Sequence, residues 1–317
     1  MSKKKIVLFL SFLTLFLLCY LVLNRSIRVT QDAKQTYEVS VICRSENTET
    51  WSTVKQGIDQ AAKDRNVDVS FITLSGRNNA AEQVTLLNRE VENGADAVVI
   101  APVDSGSLVK PIADALKKIP VVAVQSTVTG LSGLETVSCD NAAMGKALAR
   151  EVAKSGGSEV VVLGNSAGCS NVAASARAIE SELKGRNVVF RNLPDEIGKA
   201  ADMAGQTLAE HPGDTFVALD AETLEAVGQA KKDRKECRNS KIFGVGRTNK
   251  VVSFLEEGVV DAVAVENDYN MGYLCIQAAV DRIGRRDDGS PVVNYRIVSR
   301  SDMYRPENER ILFPFVR

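Results

Sequence analysis

The sequence predicts an α/β protein of two similar lobes, each built on a parallel sheet, with one transmembrane helix in front of them. Three observations lead to this prediction: an unbroken apolar run near the amino terminus, a long alternation of short β-branched runs with amphipathic stretches, and the repetition of that alternation in two series. The 317 residues exceed what a single ordinary core organises, so two lobes are expected.

The amino-terminal segment combines a positive start with an apolar run. Lys3, Lys4 and Lys5 precede residues 6–23, which contain no charged side chain. At about 1.5 Å per residue this run would form roughly 27 Å of helix, enough to cross the hydrocarbon core of a bilayer. The sequence therefore predicts a membrane-spanning helix.

The orientation of that helix follows from the flanking charges. The three lysines outnumber Arg25 and Arg28. Because the more positive end stays in the cytoplasm, the amino terminus is expected there and the rest of the chain outside the cytoplasm. Residues 1–25 are predicted to be a membrane anchor or uncleaved signal, and residues 26–36 a linker. A cleavable signal peptide is the alternative, and the length of the run and the absence of a small-x-small cleavage site favour retention.

Composition excludes several classes of protein. The formal net charge is −1 and no basic block follows the amino-terminal lysines, so no nucleic-acid partner is expected. The six cysteines form no CxxC pair, and His211 is the only histidine. No metal site and no cofactor are therefore predicted, and His211 is expected to end a helix.

Two series of apolar, β-branched runs predict ten strands. The first series covers residues 39–43, 67–74, 97–101, 121–124 and 135–138, and the second covers 159–163, 188–193, 215–219, 241–245 and 262–266. Amphipathic stretches between them, such as 79–93 and 141–155, predict helices. The strands lack an alternating polar face, so helices should cover both sides of each sheet.

Polar loops follow these strands, at the edge of the sheet where open α/β folds bind ligands. The loops cover residues 44–51, 102–105, 125–127, 168–171, 220–222, 246–249 and 266–268. Their amide, hydroxyl, guanidinium, carboxylate and indole groups suit a small polar ligand. The residues alone therefore predict a two-lobed binding protein.

A serine hydrolase is a minor alternative. Gly164 to Gly168 match GxSxG, with Ser166 as the nucleophile, and Asp195, Asp202 and His211 follow in hydrolase order. The following helix is expected to begin late, near residue 170, and His211 is expected at the opposite edge of the sheet. Both expectations disfavour catalysis.

Several segments resemble the type 1 periplasmic binding proteins of the ribose and galactose class. They are residues 94–104, 119–124, 139–141 with Gly145, and 258–266 followed by Met271 and Gly272. The resemblance implies two Rossmann-like lobes joined by a three-stranded hinge that permits closure. It implies that lobe 1 comprises 37–139 plus 267–293, and that lobe 2 comprises 140–266 plus 294–317.

The resemblance also implies a set of ligand-binding residues. They are Arg44, Thr48, Trp51, Gln125 and Ser126 from lobe 1, and Asn171, Asp220 or Glu222, Arg247 and Glu266 from lobe 2. Sugar binders of the family carry an Asp-Arg pair where this chain has Gln125 and Ser126, and an arginine where it has residues 172–174. Other roles stay open: Trp51 could pack its helix, Arg247 could pair with Glu266, and Asp104 and Asp140 are expected to cap helices.

The expected function is that of an extracytoplasmic solute-binding protein that presents a sugar or sugar-like ligand to an ABC permease. A ligand-sensing accessory protein of a membrane histidine kinase is the alternative, and the hydrolase using Ser166 is the minor one. The chain is expected to be a monomer and not an enzyme, attached to the cell membrane by a single pass, with its binding domain periplasmic or extracellular.

Overall fold

A computed structural model describes residues 13–14, 16–17, 20, 36–45, 48–156, 159–164, 168–286 and 289–314. The chain divides into two units, residues 1–36 and residues 37–317. The described residues between 13 and 20 are helical and exposed. In the described part of the chain, no helix has both the length and the apolar character needed to cross a membrane. Most of the predicted span 6–23 and of the linker 26–36 lies outside the described residues, so the anchor stays a prediction.

The described part of the second unit forms twelve strands in two six-stranded sheets. The strands are β1 Tyr37–Ile42, β2 Val67–Ile72, β3 Ala97–Ile100, β4 Val121–Val124, β5 Glu135–Cys139, β6 Glu159–Gly164, β7 Asn187–Asn192, β8 Thr215–Ala218, β9 Lys241–Val245, β10 Ala262–Glu266, β11 Val292–Val293 and β12 Tyr295–Ser299. One sheet has the order β11-β5-β4-β3-β1-β2 and the other β12-β10-β9-β8-β6-β7. All pairs are parallel except β12 with β10. The prediction of two α/β lobes with parallel sheets is confirmed.

Ten α-helices lie in the described part of the same unit. They are α1 Thr48–Arg65, α2 Ala80–Glu92, α3 Val109–Leu116, α4 Asn141–Lys154, α5 Ser170–Glu182, α6 Ile197–Glu210, α7 Ala221–Asp233, α8 Asn249–Glu257, α9 Asp268–Ile283 and α10 Pro306–Leu312. Polar side chains accept hydrogen bonds from free amides at several helix starts, as Asp140 does from Ala143 and Asp220 from Thr223. Strands β3, β4 and β8 are buried along their whole length, as strands covered on both faces should be.

The chain passes between the two sheets three times. It leaves the first sheet after β5, returns after β10, and crosses again between β11 and β12. The last two passages are joined by a hydrogen bond from the Asn267 amide to the Asn294 carbonyl, at 2.9 Å. The bounds of the two lobes stay a prediction.

Helices α1 and α9 of the first lobe pack together closely. Gly272 faces the carbonyl oxygen of Val54, and Gly57 faces that of Tyr269, so neither position has room for a Cβ. Trp51 lies in the first turn of α1, and Asp268 begins α9. The close helix contact therefore holds these two side chains in position.

Candidate ligand-binding cleft

The carboxyl ends of the strands in both sheets surround a polar cavity of about 70 Å³. Eight of the ten predicted site residues line it: Arg44, Trp51, Gln125, Asn171, Asp220, Glu222, Arg247 and Glu266. The structure brings these side chains together from loops that are far apart in the sequence. Their role in ligand binding stays a prediction.

The other two predicted site residues are Ser126 and Thr48. Ser126 does not line the cavity, and it is buried, with its Oγ 3.2 Å from the Oγ of Ser170. Thr48 begins α1, and its side chain lies outside the described residues. The geometry thus gives Ser126 a role in joining the two lobes.

Several lining residues were not among those predicted. They include Thr50, Arg77, Asn78, Asn141, Ser175 and Asp268. Arg77 and Asn78 follow β2, a strand whose loop was not included among the predicted ligand loops. The rule that ligands bind at the carboxyl ends of strands would have found this loop.

Gln125 is held in an unusual conformation directly after β4. Its φ angle is 63°, a left-handed value that is costly for a residue other than glycine. Its Nε2 donates to Glu266 Oε2 at 3.3 Å, whereas its buried Oε1 has no hydrogen-bond partner among the described residues. In the described part of the chain, the buried Oγ1 of Thr50 is also without a hydrogen-bond partner. A ligand with hydroxyl donors would satisfy both oxygens.

Arg77 reaches from the first lobe to two carboxylates of the second. Its Nη2 lies 2.9 Å from Asp220 Oδ1 and its Nη1 lies 2.7 Å from Glu222 Oε2. The side chains of these three residues are only 7%, 8% and 11% exposed. Two of the three carboxylates that were expected to contact ligand are therefore paired with an arginine of the same chain.

The two other arginines of the cavity also contact the opposite lobe. Arg44 Nη1 donates to Asn171 Oδ1 at 3.4 Å, and Arg247 Nη1 donates to Thr53 Oγ1 at 3.3 Å. Arg247 Nε donates to the Leu312 carbonyl at 2.8 Å, which ties the end of α10 to the cleft. Arg247 Nη2 also donates to Asn249 Oδ1 at 3.4 Å, and among the described residues Arg247 forms no ion pair with Glu266.

Glu266 and Asp268 form an acidic group at the carboxyl end of β10. Glu266 Oε1 accepts a hydrogen bond from the Cys139 thiol at 2.9 Å. Burial raises the pKa of the Cys139 thiol strongly, and the Glu266 charge adds to the effect. Burial also raises the pKa of Asp268 to about 8, with a further contribution from Glu266 and an opposing one from Arg247. Asp268 is therefore mostly protonated at neutral pH.

Replacing Asp268 by asparagine should change how stability depends on pH. The folded state holds the Asp268 proton more tightly than the unfolded chain, whose carboxyl titrates near 3.8. The stability that protonated Asp268 contributes is therefore fully present below pH about 3.8. It declines as the pH rises from there to about 8. In urea unfolding, Asp268→Asn should gain stability over the wild type as pH rises from 4 to 8.

The control for this prediction is Asp59→Asn, because Asp59 is exposed and pairs with Lys55 on the helix surface. A stability difference between Asp268→Asn and the wild type that stays constant from pH 4 to 8.5 would contradict the assignment.

The region of the hydrolase motif gives no support to catalysis. Ser166 lies outside the described residues. His211 follows the end of α6, as predicted, and its Nδ1 is 3.0 Å from Oε1 of Glu159, the first residue of β6. His211 is therefore at the opposite end of β6 from the cleft.

Comparison with known proteins identifies the family. A model described as periplasmic binding protein domain matches residues 39–286, well over half of the chain. No curated protein matches the sequence significantly. The solved structures that match are numerous and share the fold.

Three of these structures illustrate the similarity. A carbohydrate transporter solute-binding protein from Agrobacterium radiobacter in complex with D-arabinose has a TM-score of 0.82 at 20% identity, covering 88% of this chain and 100% of that one. An ABC transporter solute-binding protein from Agrobacterium vitis with bound D-fucose has a TM-score of 0.81 at 20% identity, covering 87% and 100%. A XylFII–LytSN complex has a TM-score of 0.77 at 19% identity, covering 84% and 99%.

These matches agree with the two-lobed fold and with the polar cleft. The family is extracytoplasmic and its members bind solutes without converting them, so the chain is a binding protein and not an enzyme. The chain belongs to the periplasmic binding protein family.

Proposed function

We propose that this chain is an extracytoplasmic solute-binding protein that closes on a sugar or sugar-like molecule and presents it to an ABC permease. The observation that carries the proposal is the cavity, which is lined by polar side chains from both lobes. The similar proteins with bound D-arabinose and D-fucose support a carbohydrate as the ligand.

Closure follows from the way the contacts are divided between the lobes. Trp51, Gln125 and Asp268 belong to elements of the first lobe, whereas Asn171 and Glu222 belong to elements of the second. A ligand can touch both groups only when the lobes are together, so it stabilises the closed form by its difference in affinity for the two states. A membrane partner would then recognise the closed shape.

The amino-terminal segment would hold this binding domain at the membrane. Residues 1–25 are proposed to stay attached as an anchor, and residues 26–36 to link them to β1. A short tether raises the effective concentration of the domain beside its partner. The proposed location is thus the outer face of the cell membrane, with the binding domain outside the cytoplasm.

A sensory role is the second candidate, and the XylFII–LytSN complex favours it, because a protein of this fold is there bound to another protein. In this role the closed form would dock on the outer domain of a membrane histidine kinase. The genes beside this one distinguish the two roles: permease and ATPase genes support transport, whereas kinase and response-regulator genes support sensing.

A thermal unfolding screen of the full chain in detergent tests the proposed binding. Sugars, sugar phosphates, polyols, amino acids and nucleosides are the candidates. A ligand at 100 times its dissociation constant adds about 2.7 kcal/mol of stability, which raises the melting temperature by a few degrees. The shift should disappear in Asn171→Ala and persist in Lys110→Ala, a change in an exposed surface pair. No shift with any compound would count against the proposal.

A further inference from the structure

Arg77 lines the cavity and reaches across it from one lobe to the other. It lies in the loop between β2 and α2, on the first lobe, and its guanidinium contacts Asp220 and Glu222 at the start of α7 on the second. Both carboxylates line the cavity. Arg77 therefore bridges the lobes inside the cleft, whereas a pair such as Lys55–Asp59 lies within one helix.

The start of α7 holds the two carboxylates in position independently of Arg77. Asp220 caps α7, with Oδ1 accepting from the Thr223 amide at 2.8 Å and Oδ2 accepting from the Thr223 hydroxyl at 2.9 Å. Glu222 lies in the first turn of the same helix. Because all three side chains are almost fully buried, loss of the guanidinium would leave two uncompensated charges in the closed cleft. Opening the cleft would hydrate them.

A second contact supports the same loop. Asn78 follows Arg77, and its Nδ2 donates to Asp195 Oδ1 at 2.8 Å. Asp195 lies between β7 and α6 on the second lobe. The β2–α2 loop is thus attached to the opposite lobe at two neighbouring residues.

The remaining space is small. With Arg77 in place the cavity measures about 70 Å³, whereas a protein cavity that admits benzene measures about 150 Å³. With Arg77 in place, a ligand with a sugar ring therefore needs more room than the cavity offers. The groups that Arg77 leaves behind are two fixed carboxylates, which accept hydrogen bonds from ligand hydroxyls.

We propose that Arg77 is an internal occupant of the cleft, which latches the two lobes together without ligand and which a sugar must displace from Asp220 and Glu222. The displacement of Arg77 by a sugar rests on the proposed solute-binding function, whereas the latch between the lobes does not. The latch lowers the apparent affinity for any sugar, because part of the binding free energy is used to release Arg77. Arg77 is therefore a specificity-determining residue: it admits ligands whose hydroxyls replace its contacts.

The latch is tested first without ligand, by the fluorescence of the full chain. Trp51 is the only tryptophan, lines the cavity and is 4% exposed. The wild type should show short-wavelength emission and weak quenching by acrylamide. Arg77→Gln should shift the emission to longer wavelength and increase the quenching, because the cleft opens.

Two further variants complete the test of the latch. Glu222→Gln removes one of the two charges on the second lobe and should show the same change in smaller degree. Arg89→Gln removes an ion pair within α2, far from the two carboxylates, whose arginine is 52% exposed, and should behave as the wild type. Equal emission and quenching in the wild type, Arg77→Gln and Glu222→Gln would overturn the latch. Circular dichroism of each variant separates opening from misfolding.

The displacement is tested second, by titration with D-arabinose, D-fucose and D-tagatose. If Arg77 must leave, Arg77→Ser should bind the preferred sugar roughly tenfold more tightly than the wild type. Weaker binding by Arg77→Ser would show that the guanidinium contacts the ligand directly, and would overturn the displacement. If no sugar binds to either protein, both the proposed carbohydrate ligand and the displacement by a sugar are wrong. The fluorescence comparison still tests the latch in that case.

Discussion

Replacing Gly272 by alanine is expected to lower the free energy of unfolding by about 3 kcal/mol, because the new Cβ would collide with the backbone carbonyl of Val54. Neither backbone can move easily, since Gly57 on α1 is in similarly close contact with α9. The helices would have to separate, and Trp51 and Asp268 would shift with them. Urea unfolding measures the stability, and ligand titration measures the loss of affinity.

The matched control for this prediction is Gly198→Ala. Gly198 is also helical, on α6, but a Cβ there would meet no neighbouring atom. Since alanine favours helix more than glycine does, this change should be neutral or stabilise by up to about 1 kcal/mol. Equal effects of the two substitutions would show that the α1–α9 contact is looser than described.

Replacing Trp51 by alanine is expected to cost about 3 to 5 kcal/mol of stability and to abolish ligand binding. Trp51 packs in the core of the first lobe and also lines the cavity, so the alanine variant combines two effects. Trp51→Phe separates them, because phenylalanine fills most of the packing space but offers a smaller aromatic face.

The phenylalanine variant should lose little stability and bind the ligand roughly tenfold more weakly, since an aromatic contact is worth about 1 kcal/mol beyond its buried area. Titration calorimetry and urea unfolding of the same preparations measure the two quantities. Unchanged affinity in Trp51→Phe would mean that Trp51 serves the core alone.

The fold could be predicted because its signals are local. Strands such as β3 and β4 are short apolar runs without a polar face, and helices such as α2 are bounded by Asn79 and Asn93, which cap its two ends. The polar loops after the strands also predicted most of the cavity lining, since the carboxyl ends of parallel strands meet at one edge.

The parts of the site that could not be predicted depend on how the lobes meet. Arg77 follows β2 in a Gly-Arg-Asn-Asn segment, which is typical of a solvated turn. Its burial arises only because Asp220 and Glu222 of the other lobe lie opposite. The conformation of Gln125 places the neighbouring Ser126 against Ser170, away from the cavity. The position of Arg77 after a strand points to its loop, but no local pattern encodes the side-chain contacts of Arg77 or Ser126.

The central claim is that the cleft closes on one small polar molecule. Isothermal titration of the full chain with D-arabinose, D-fucose and D-tagatose tests it most directly, with Asn171→Ala as the variant in the cleft. The account predicts one ligand per chain for at least one sugar and an affinity at least roughly tenfold lower in Asn171→Ala. Absence of binding by all three sugars, or equal binding by the wild type and Asn171→Ala, would contradict it.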